Sequence, residues 1–290
     1  MPEVATTDPR PGRLVTDSAC LLDEATRLLA AGGIVAPRRE AVRIWRDVLG
    51  SEPALALGPV PAEDSARFRA AIARRAAGEP LAYVTGVTGF RHLTLAVDRR
   101  ALIPRPETEG LVDHVLARVR SGVVADAGTG TGCLALSLRQ EGAFERVLAI
   151  DASRDALALA RKNRAATGLA IDLVRGDLLE CVADASLDAV VSNPPYLTAA
   201  EYAALDPAVK AWEPASALVS GEDGMAATDR LLRAAGRVLR PGAWLVLEVD
   251  CGRASVAARH AAEAGLGDVA VFDDLFGRAR YLVARRSDAP

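Results

Sequence analysis

Residues 123–132 read Val-Val-Ala-Asp-Ala-Gly-Thr-Gly-Thr-Gly, an apolar run that meets an acid and then breaks into alternating glycines. No other stretch narrows the possible folds as much. The run has the length and apolar character of a strand covered on both faces, as in parallel sheets. The glycines let the backbone bend tightly and approach a ligand closely. Residues 134–140 follow at helical spacing, so the turn opens a helix whose start offers unpaired N–H groups and positive potential. In open α/β sheets, ligands sit at this carboxyl edge.

The rest of the chain supports that frame. Beyond residue 123, strand patterns at 123–127, 146–151, 172–175, 187–192, 243–249, 269–272 and 280–285 alternate with helical ones at 134–140, 154–166, 224–239 and 253–264. Such alternation predicts an α/β fold with a seven-stranded, mostly parallel sheet and helices on both faces. The first third reads differently. Asp17 caps a helix stopped by Gly32-Gly33, Pro37 opens a second ending at Gly50, and Pro61 opens a third ending at Gly78. Residues 85–97 carry Gly86, Gly89 and the alternation Leu93, Leu95, Val97, the pattern of a short hairpin. The expected order is a flexible tail at 1–15, a small helical bundle for substrate docking at 16–84, a β-hairpin linker at 85–100, and a catalytic domain at 101–290. With 290 residues, half of them hydrophobic, the chain can fill two cores.

Which ligand the turn takes follows from its spacing. A dinucleotide fingerprint needs glycine at position 133, where Cys133 stands. The observed Gly128-Thr129-Gly130-Thr131-Gly132 after Asp126 suits S-adenosylmethionine better. Asp126 is placed to orient the turn or to meet the cofactor ammonium. Asp151 ends the next strand, where a carboxylate accepts from ribose hydroxyls. Asp177 and Leu178 follow the third strand, placed to accept from the adenine amine and to pack on the ring. Three acids at three successive strand ends are a stronger sign than the glycines alone.

The fourth strand runs into Asn193-Pro194-Pro195-Tyr196. Two prolines stiffen the backbone and remove two donors. What remains is acceptor-rich: the Asn193 side-chain oxygen and the Pro194 carbonyl. A planar –NH2 has two hydrogens to give and a delocalised, weakly nucleophilic lone pair. Two fixed acceptors hold it with the lone pair toward an electrophilic methyl and stabilise the charge that develops. No strong base is needed. Tyr196 packs on the planar group and the cationic surroundings. Taken alone this is also the sequence of a proline turn with a capping Asn; its place after a fourth strand at the same sheet edge favours the catalytic reading.

Several classes are disfavoured. The net charge of −3 is unlike that of a general nucleic-acid binder. The four cysteines, Cys20, Cys133, Cys181 and Cys251, form no CxxC pair, so neither a zinc site nor a disulfide framework is expected, and a reducing cytoplasm fits. No apolar run has the length of a membrane span. His92, His114 and His260 are scattered and read as structural or solvated, and no metal is expected.

From Gly78 to Arg285 the sequence resembles the protein (glutamine-N5) methyltransferases that act on peptide chain release factors. The resemblance rests chiefly on Gly89-Phe90 and on Leu102-Ile103-Pro104-Arg105-Pro106-Glu107-Thr108-Glu109-Gly110-Leu111-Val112. Gly78-Glu79-Pro80-Leu81-Ala82-Tyr83-Val84-Thr85-Gly86, Glu213-Pro214, Gly221-Glu222-Asp223-Gly224-Met225 and Asp274-Leu275-Phe276-Gly277-Arg278-Ala279-Arg280 add to it. It implies a Rossmann-like class I methyltransferase with S-adenosylmethionine at Gly128–Gly132, Asp151, Asp177, Leu178 and Asn193. It implies that a glutamine of the Gly-Gly-Gln loop of class I release factors enters the pocket of Asn193, Pro194, Pro195 and Tyr196, with no direct part for nucleic acid. The sequence departs from the family at Leu178, where an aromatic residue is common, and at Glu248-Val249-Asp250-Cys251-Gly252-Arg253, where Glu-x-Gly-x-x-Gln is common. Two other substrates fit the same chemistry: a ribosomal-protein glutamine, and the N6 amine of adenine or N4 amine of cytosine, with a flipped base stacked on Tyr196.

Overall fold

The computed structural model describes residues 17–53, 59–205 and 207–287. The expected tail, 1–15, lies outside them. Contacts divide the chain into two units, Met1–Thr85 and Gly86–Pro290.

The first unit is helical: α1 (Ser18–Ala31), α2 (Pro37–Leu49), α3 (Ala62–Ala76) and the short α4 (Leu81–Thr85). Local chemistry sets the ends. Asp17 accepts from the Cys20 N–H at 2.7 Å, and Gly50 closes α2 in the left-handed conformation at φ 69°. Apolar residues at helical spacing meet inside: Leu29, Ile44, Trp45, Phe68 and Ile72 are buried, with Trp45 and Phe68 edge-on at 5.1 Å. Arg74 donates to Glu79 at 2.8 Å and to the Tyr83 carbonyl at 3.1 Å, which pins the turn between α3 and α4.

The second unit begins with a hairpin, β1 (Val87–Phe90) and β2 (Leu93–Ala96). This hairpin belongs to the core of the second unit. Phe90, Leu93 and Leu95 pack with Val124, Leu134 and Val246. Asn163, fully buried, donates to the Ala96 and Thr131 carbonyls and accepts from the Ala96 N–H, stitching the hairpin to the glycine turn.

The sheet has seven strands: β3 (Ser121–Ala127), β4 (Ala143–Asp151), β5 (Asp172–Arg175), β6 (Leu187–Ser192), β7 (Leu239–Glu248), β8 (Leu266–Asp273) and β9 (Ala279–Arg286). Their order is β5-β4-β3-β6-β7-β9-β8, parallel except for β9, which runs against both neighbours. The order reverses between β3 and β6, and at such a switch point the strand ends open a crevice.

Helices α5 (Glu109–Leu116), α6 (Cys133–Glu141), α7 (Arg154–Thr167), α10 (Ala226–Val238) and α11 (Ala254–Glu263) pack around the sheet, while α8 (Ala199–Ala204) and α9 (Pro207–Trp212) lie in the long β6–α10 connection. Alternate strand residues serve opposite faces. Leu245 and Leu247 meet α10 and α11, while Val246 meets the side of α5 and α6. Both faces are covered, so β6 reads as a near-continuous apolar run.

Helix and strand ends differ from the sequence expectation by a few residues, most at β7, which starts at Leu239. The short helices α4, α8 and α9 were not anticipated, since five or six residues are too few to show a period. No helix among the described residues is long and apolar enough to cross a membrane.

Candidate active site

The glycine turn joins β3 to α6. Gly128, Gly130 and Gly132 have φ of 78°, 54° and 83°, a region that disfavours side chains. The turn is held largely by its own amides. Gly128 and Thr129 N–H donate to the Ile150 carbonyl at 2.8 and 2.9 Å, Gly132 N–H to the Thr129 carbonyl at 2.8 Å, and Gly130 N–H to Asp151 Oδ2 at 2.9 Å. These four N–H groups are therefore taken, and the free N–H groups expected at the helix start are not among them. The turn offers carboxylates rather than a phosphate cradle, which disfavours a dinucleotide and favours a nucleoside that carries a cation.

Asp126 lies fully buried under the turn. Its Oδ2 accepts from the Thr129 hydroxyl at 2.6 Å and from the Ala135 N–H at 3.2 Å. Its Oδ1 has no hydrogen-bond partner among the described residues. Burial pushes this acid up to about 7, with the neighbouring Asp151 adding to the shift. Asp151 is raised by burial as well, against hydrogen bonds from the Ser153 and Gly130 N–H groups. Each of its oxygens keeps acceptor capacity beyond those bonds. Asp177 is half exposed and accepts from Arg230 at 2.8 Å. Leu178, beside it, has φ 49°.

These residues surround a cavity of about 720 Å³ at the strand ends. Its walls include Gly128, Thr129, Gly130, Thr131, Asp151, Asp177, Leu178, Asn193 and Pro195. Asp126, Gly132, Pro194 and Tyr196, also expected at the site, do not line it. Asp126 sits below the turn, Pro194 is buried, and Tyr196 is partly buried. Acids at successive strand ends and an apolar residue at 178, all on the cavity wall, fit the ribose and base of S-adenosylmethionine, while buried Asp126 supports the turn from behind the wall.

At the end of β6 the Asn193 side-chain nitrogen donates to Thr108 Oγ1 at 3.0 Å. Thr108 Oγ1 in turn donates to Glu248 Oε2 at 2.7 Å. Among the described residues no hydrogen bond occupies Asn193 Oδ1 or the Pro194 carbonyl. Of the two expected acceptors, Asn193 belongs to the cavity wall, and Pro194 is buried outside it. Burial raises the Tyr196 phenol, with Glu248 adding to it.

The segment from Leu102 to Val112 has a physical reading beyond a rigid connector. Leu102, Pro104, Arg105 and Thr108 line the cavity. Arg105 donates to buried Glu213 at 2.6 Å, which gives the Glu213-Pro214 match its purpose. Glu109 accepts from the Arg91 N–H at 2.8 Å. A side chain at Gly110 would strike the Tyr281 ring, whose hydroxyl donates to the Glu107 carbonyl at 2.6 Å. Gly224 similarly faces the Tyr196 carbonyl, and a Cβ there would collide with it.

The departure at residues 248–253 is also accounted for. Glu248 is buried and bonded to Thr108. Arg253 donates to the Asp223 carbonyl at 2.7 Å and to Glu201 at 2.7 Å, clasping α8 to the loop that carries Gly224. Arg280 lies 3.9 Å from Glu248 and 3.4 Å from Asp274. Sequence reasoning gave Thr108, Glu248, Arg253 and Arg280 no role in the site, although all four fall in segments it matched to or contrasted with the family. The match at 102–112 pointed toward the first, the departure at 248–253 toward the next two and the match at 274–280 toward the last.

Comparison with known proteins agrees with this geometry. A PrmC N-terminal domain model matches residues 21–86, and a methyltransferase small domain model matches 106–210. A release factor glutamine methyltransferase of Cereibacter sphaeroides is 41% identical over 92% of this chain and 98% of its own. The chain belongs to the release factor glutamine methyltransferase family. A protein of that name from Streptomyces coelicolor is 38% identical over 91% of this chain and 96% of its own. Among solved structures, a Pyrococcus furiosus methyltransferase has a TM-score of 0.53 at 19% identity, over 78% of this chain and all of its own. A Thermus thermophilus 16S rRNA methyltransferase, solved with S-adenosylmethionine and guanosine, has a TM-score of 0.51 at 19% identity, over 69% of this chain and 49% of its own. These two establish the class I methyltransferase fold. The protein is an S-adenosylmethionine-dependent methyltransferase.

Proposed function

We propose that this enzyme methylates the side-chain amide nitrogen of the glutamine in the Gly-Gly-Gln loop of class I peptide chain release factors, in the cytoplasm. The observation that carries the reading is the pair of acceptors that no hydrogen bond among the described residues occupies, Asn193 Oδ1 and the Pro194 carbonyl, with Asn193 on the wall of a cavity suited to a nucleoside with a cationic centre.

When bound, S-adenosylmethionine supplies a methyl group on a sulfonium. Asp151 accepts from the ribose hydroxyls, Leu178 packs on the base, and the turn Gly128 to Gly132 bounds the amino-acid end above Asp126. Asp177, already engaged by Arg230, is assigned to the base amine through its remaining acceptor capacity. Asn193 Oδ1 and the Pro194 carbonyl each accept one N–H of the substrate amide. That fixes the amide plane and turns the nitrogen lone pair toward the cofactor side. The same acceptors stabilise the positive charge that grows on nitrogen, whose proton departs after the methyl is in place. Tyr196, held neutral by its raised phenol, packs on the flat amide together with Pro195. The helical unit, Met1–Thr85, is assigned to docking the body of the protein substrate; every residue that lines the cavity belongs to the other unit.

The test uses the full chain, labelled S-adenosylmethionine and, in parallel, release factor, ribosomal protein, DNA or RNA. Label on the release factor, mapped by mass spectrometry to the Gly-Gly-Gln glutamine, is expected. Label only in nucleic acid or ribosomal protein overturns the assignment.

A further inference from the structure

We propose that Thr108 and Glu248 are positioning residues: together they fix which end of the Asn193 side-chain amide faces the substrate. The proposal rests on the role given to Asn193 above.

The two ends of an Asn amide are nearly equal in size, so shape alone does not choose between them. The choice matters here, because an outward –NH2 would repel the substrate –NH2 that an outward oxygen accepts. Hydrogen-bond logic supplies the choice. An ionised Glu248 only accepts, so the single Thr108 hydroxyl proton goes to Glu248 Oε2, at 2.7 Å. Thr108 Oγ1 is left with lone pairs only, and these accept from Asn193 Nδ2, at 3.0 Å. Oδ1 must then face the pocket.

The chain of bonds is protected from water. Thr108 is 3% exposed and Glu248 is 2% exposed, so bulk water competes little for either bond. The charge that gives the relay its direction is supported from two elements: Arg280 on β9, 3.9 Å away, and Arg105 ahead of α5. Burial is the larger influence and, with Glu107, raises the Glu248 acid on balance, against the Thr108 hydrogen bond and the two arginines. Once Glu248 is protonated, Thr108 is free to donate to Asn193 and the amide is free to turn over. The relay also links three segments distant in sequence, 85 positions from Asn193 to Thr108 and 140 from Thr108 to Glu248, to one purpose. A mere structural bond would not require this direction.

The experiment is a double-mutant cycle on the full chain, with release factor as substrate and cofactor binding followed by calorimetry. Thr108→Val keeps shape and removes the hydroxyl. It is expected to lower kcat by about 10- to 100-fold, the effect of losing buried hydrogen bonds. Cofactor affinity is expected to stay within about threefold, a shift that a lost bond to cofactor would exceed. Thr108→Ser, which restores the hydroxyl, is expected to recover most of the rate. Glu248→Gln, whose amide can donate to Thr108, is expected to lower kcat as well, and gives a second route if Thr108→Val folds poorly. In the Asn193→Ala background, Thr108→Val is expected to cost nothing further. The wild-type rate is expected to fall on the acid side as Glu248 takes up its proton, and that limb should vanish in Thr108→Val. Equal losses from Thr108→Val with and without Asn193, or a normal rate in both single variants at 108 and 248, overturn the relay. A near-normal rate in Asn193→Ala would instead remove the role of Asn193 itself, which separates the two failures.

Discussion

The glycine turn and the Asn-Pro-Pro-Tyr turn stand at neighbouring strand ends but are held in different ways. Gly128 to Gly132 are fixed from close by in sequence. Asp126 grips Thr129 three positions on and Ala135 nine positions on, and Asp151 takes Gly130 from 21 away. Asn193 to Tyr196 are fixed from afar, by Thr108, by Glu248 behind it, and by Gly224 against the Tyr196 carbonyl. Asn163, 32 positions away, adds one more bond to the first turn, at the Thr131 carbonyl. The second turn is assembled only when the whole second unit has folded. The Asn-Pro-Pro-Tyr turn therefore depends on distant packing more than the glycine turn does.

Substitutions can pull the two apart. The largest effect is expected from Asn193→Ala: turnover about 10- to 1000-fold lower, as when one transition-state hydrogen-bonding group is lost, with cofactor affinity largely kept. Steady-state kinetics beside calorimetry reads both, and loss of cofactor binding in step with turnover would merge the two sites. Next comes Asp151→Ala, expected to weaken cofactor binding about 10- to 100-fold through loss of charged hydrogen bonds. Unchanged affinity in titration calorimetry would remove Asp151 from the cofactor seat. Gly224→Ala tests the remote support. A side chain at φ 78° facing the Tyr196 carbonyl is expected to lower stability by about 1–3 kcal/mol and to cut turnover before cofactor affinity. Equal denaturation midpoints for variant and parent would show that the contact carries no strain.

The smallest effect concerns pH. Asp126 titrates near 7 in the folded protein against 3.8 for the ordinary acid, so the folded state holds this proton more tightly than the unfolded chain. Its contribution to stability is complete below about pH 4 and is lost as pH rises through about 7. The urea midpoint of the ligand-free protein is expected to fall between pH 5 and pH 8, and less so in Asp126→Asn. A midpoint with the same pH slope in both proteins would rule out Asp126 as its source.

The same contrast explains what was legible in the sequence. The α/β frame was readable because strand and helix periods are local. The glycine turn, Asp151 and the acceptor turn at Asn193 were readable because each follows directly on its strand. The parts that complete the substrate side were not readable in this way. Thr108 looks like the first turn of a helix, Glu248 like the end of a strand, and Arg253 like a helix start. Each gains its role only from a partner far along the chain, which no window of ten or twenty residues contains. The hairpin at 87–96 was visible as two strands, but its membership in the second core depends on Asn163, buried 67 positions away.

Strand β9 runs against its neighbours, and the tight turn ahead of it, 274–278, therefore emerges on the same rim as the strand ends that carry the site. Asp274 braces that turn from within, accepting from the Phe276 and Arg278 N–H groups, while Leu275 and Phe276 stand bare at 101% and 74% exposure. Exchanging those two side chains costs the interior nothing. Bare apolar surface thus stands on the rim that carries the site, held out by a turn braced from within.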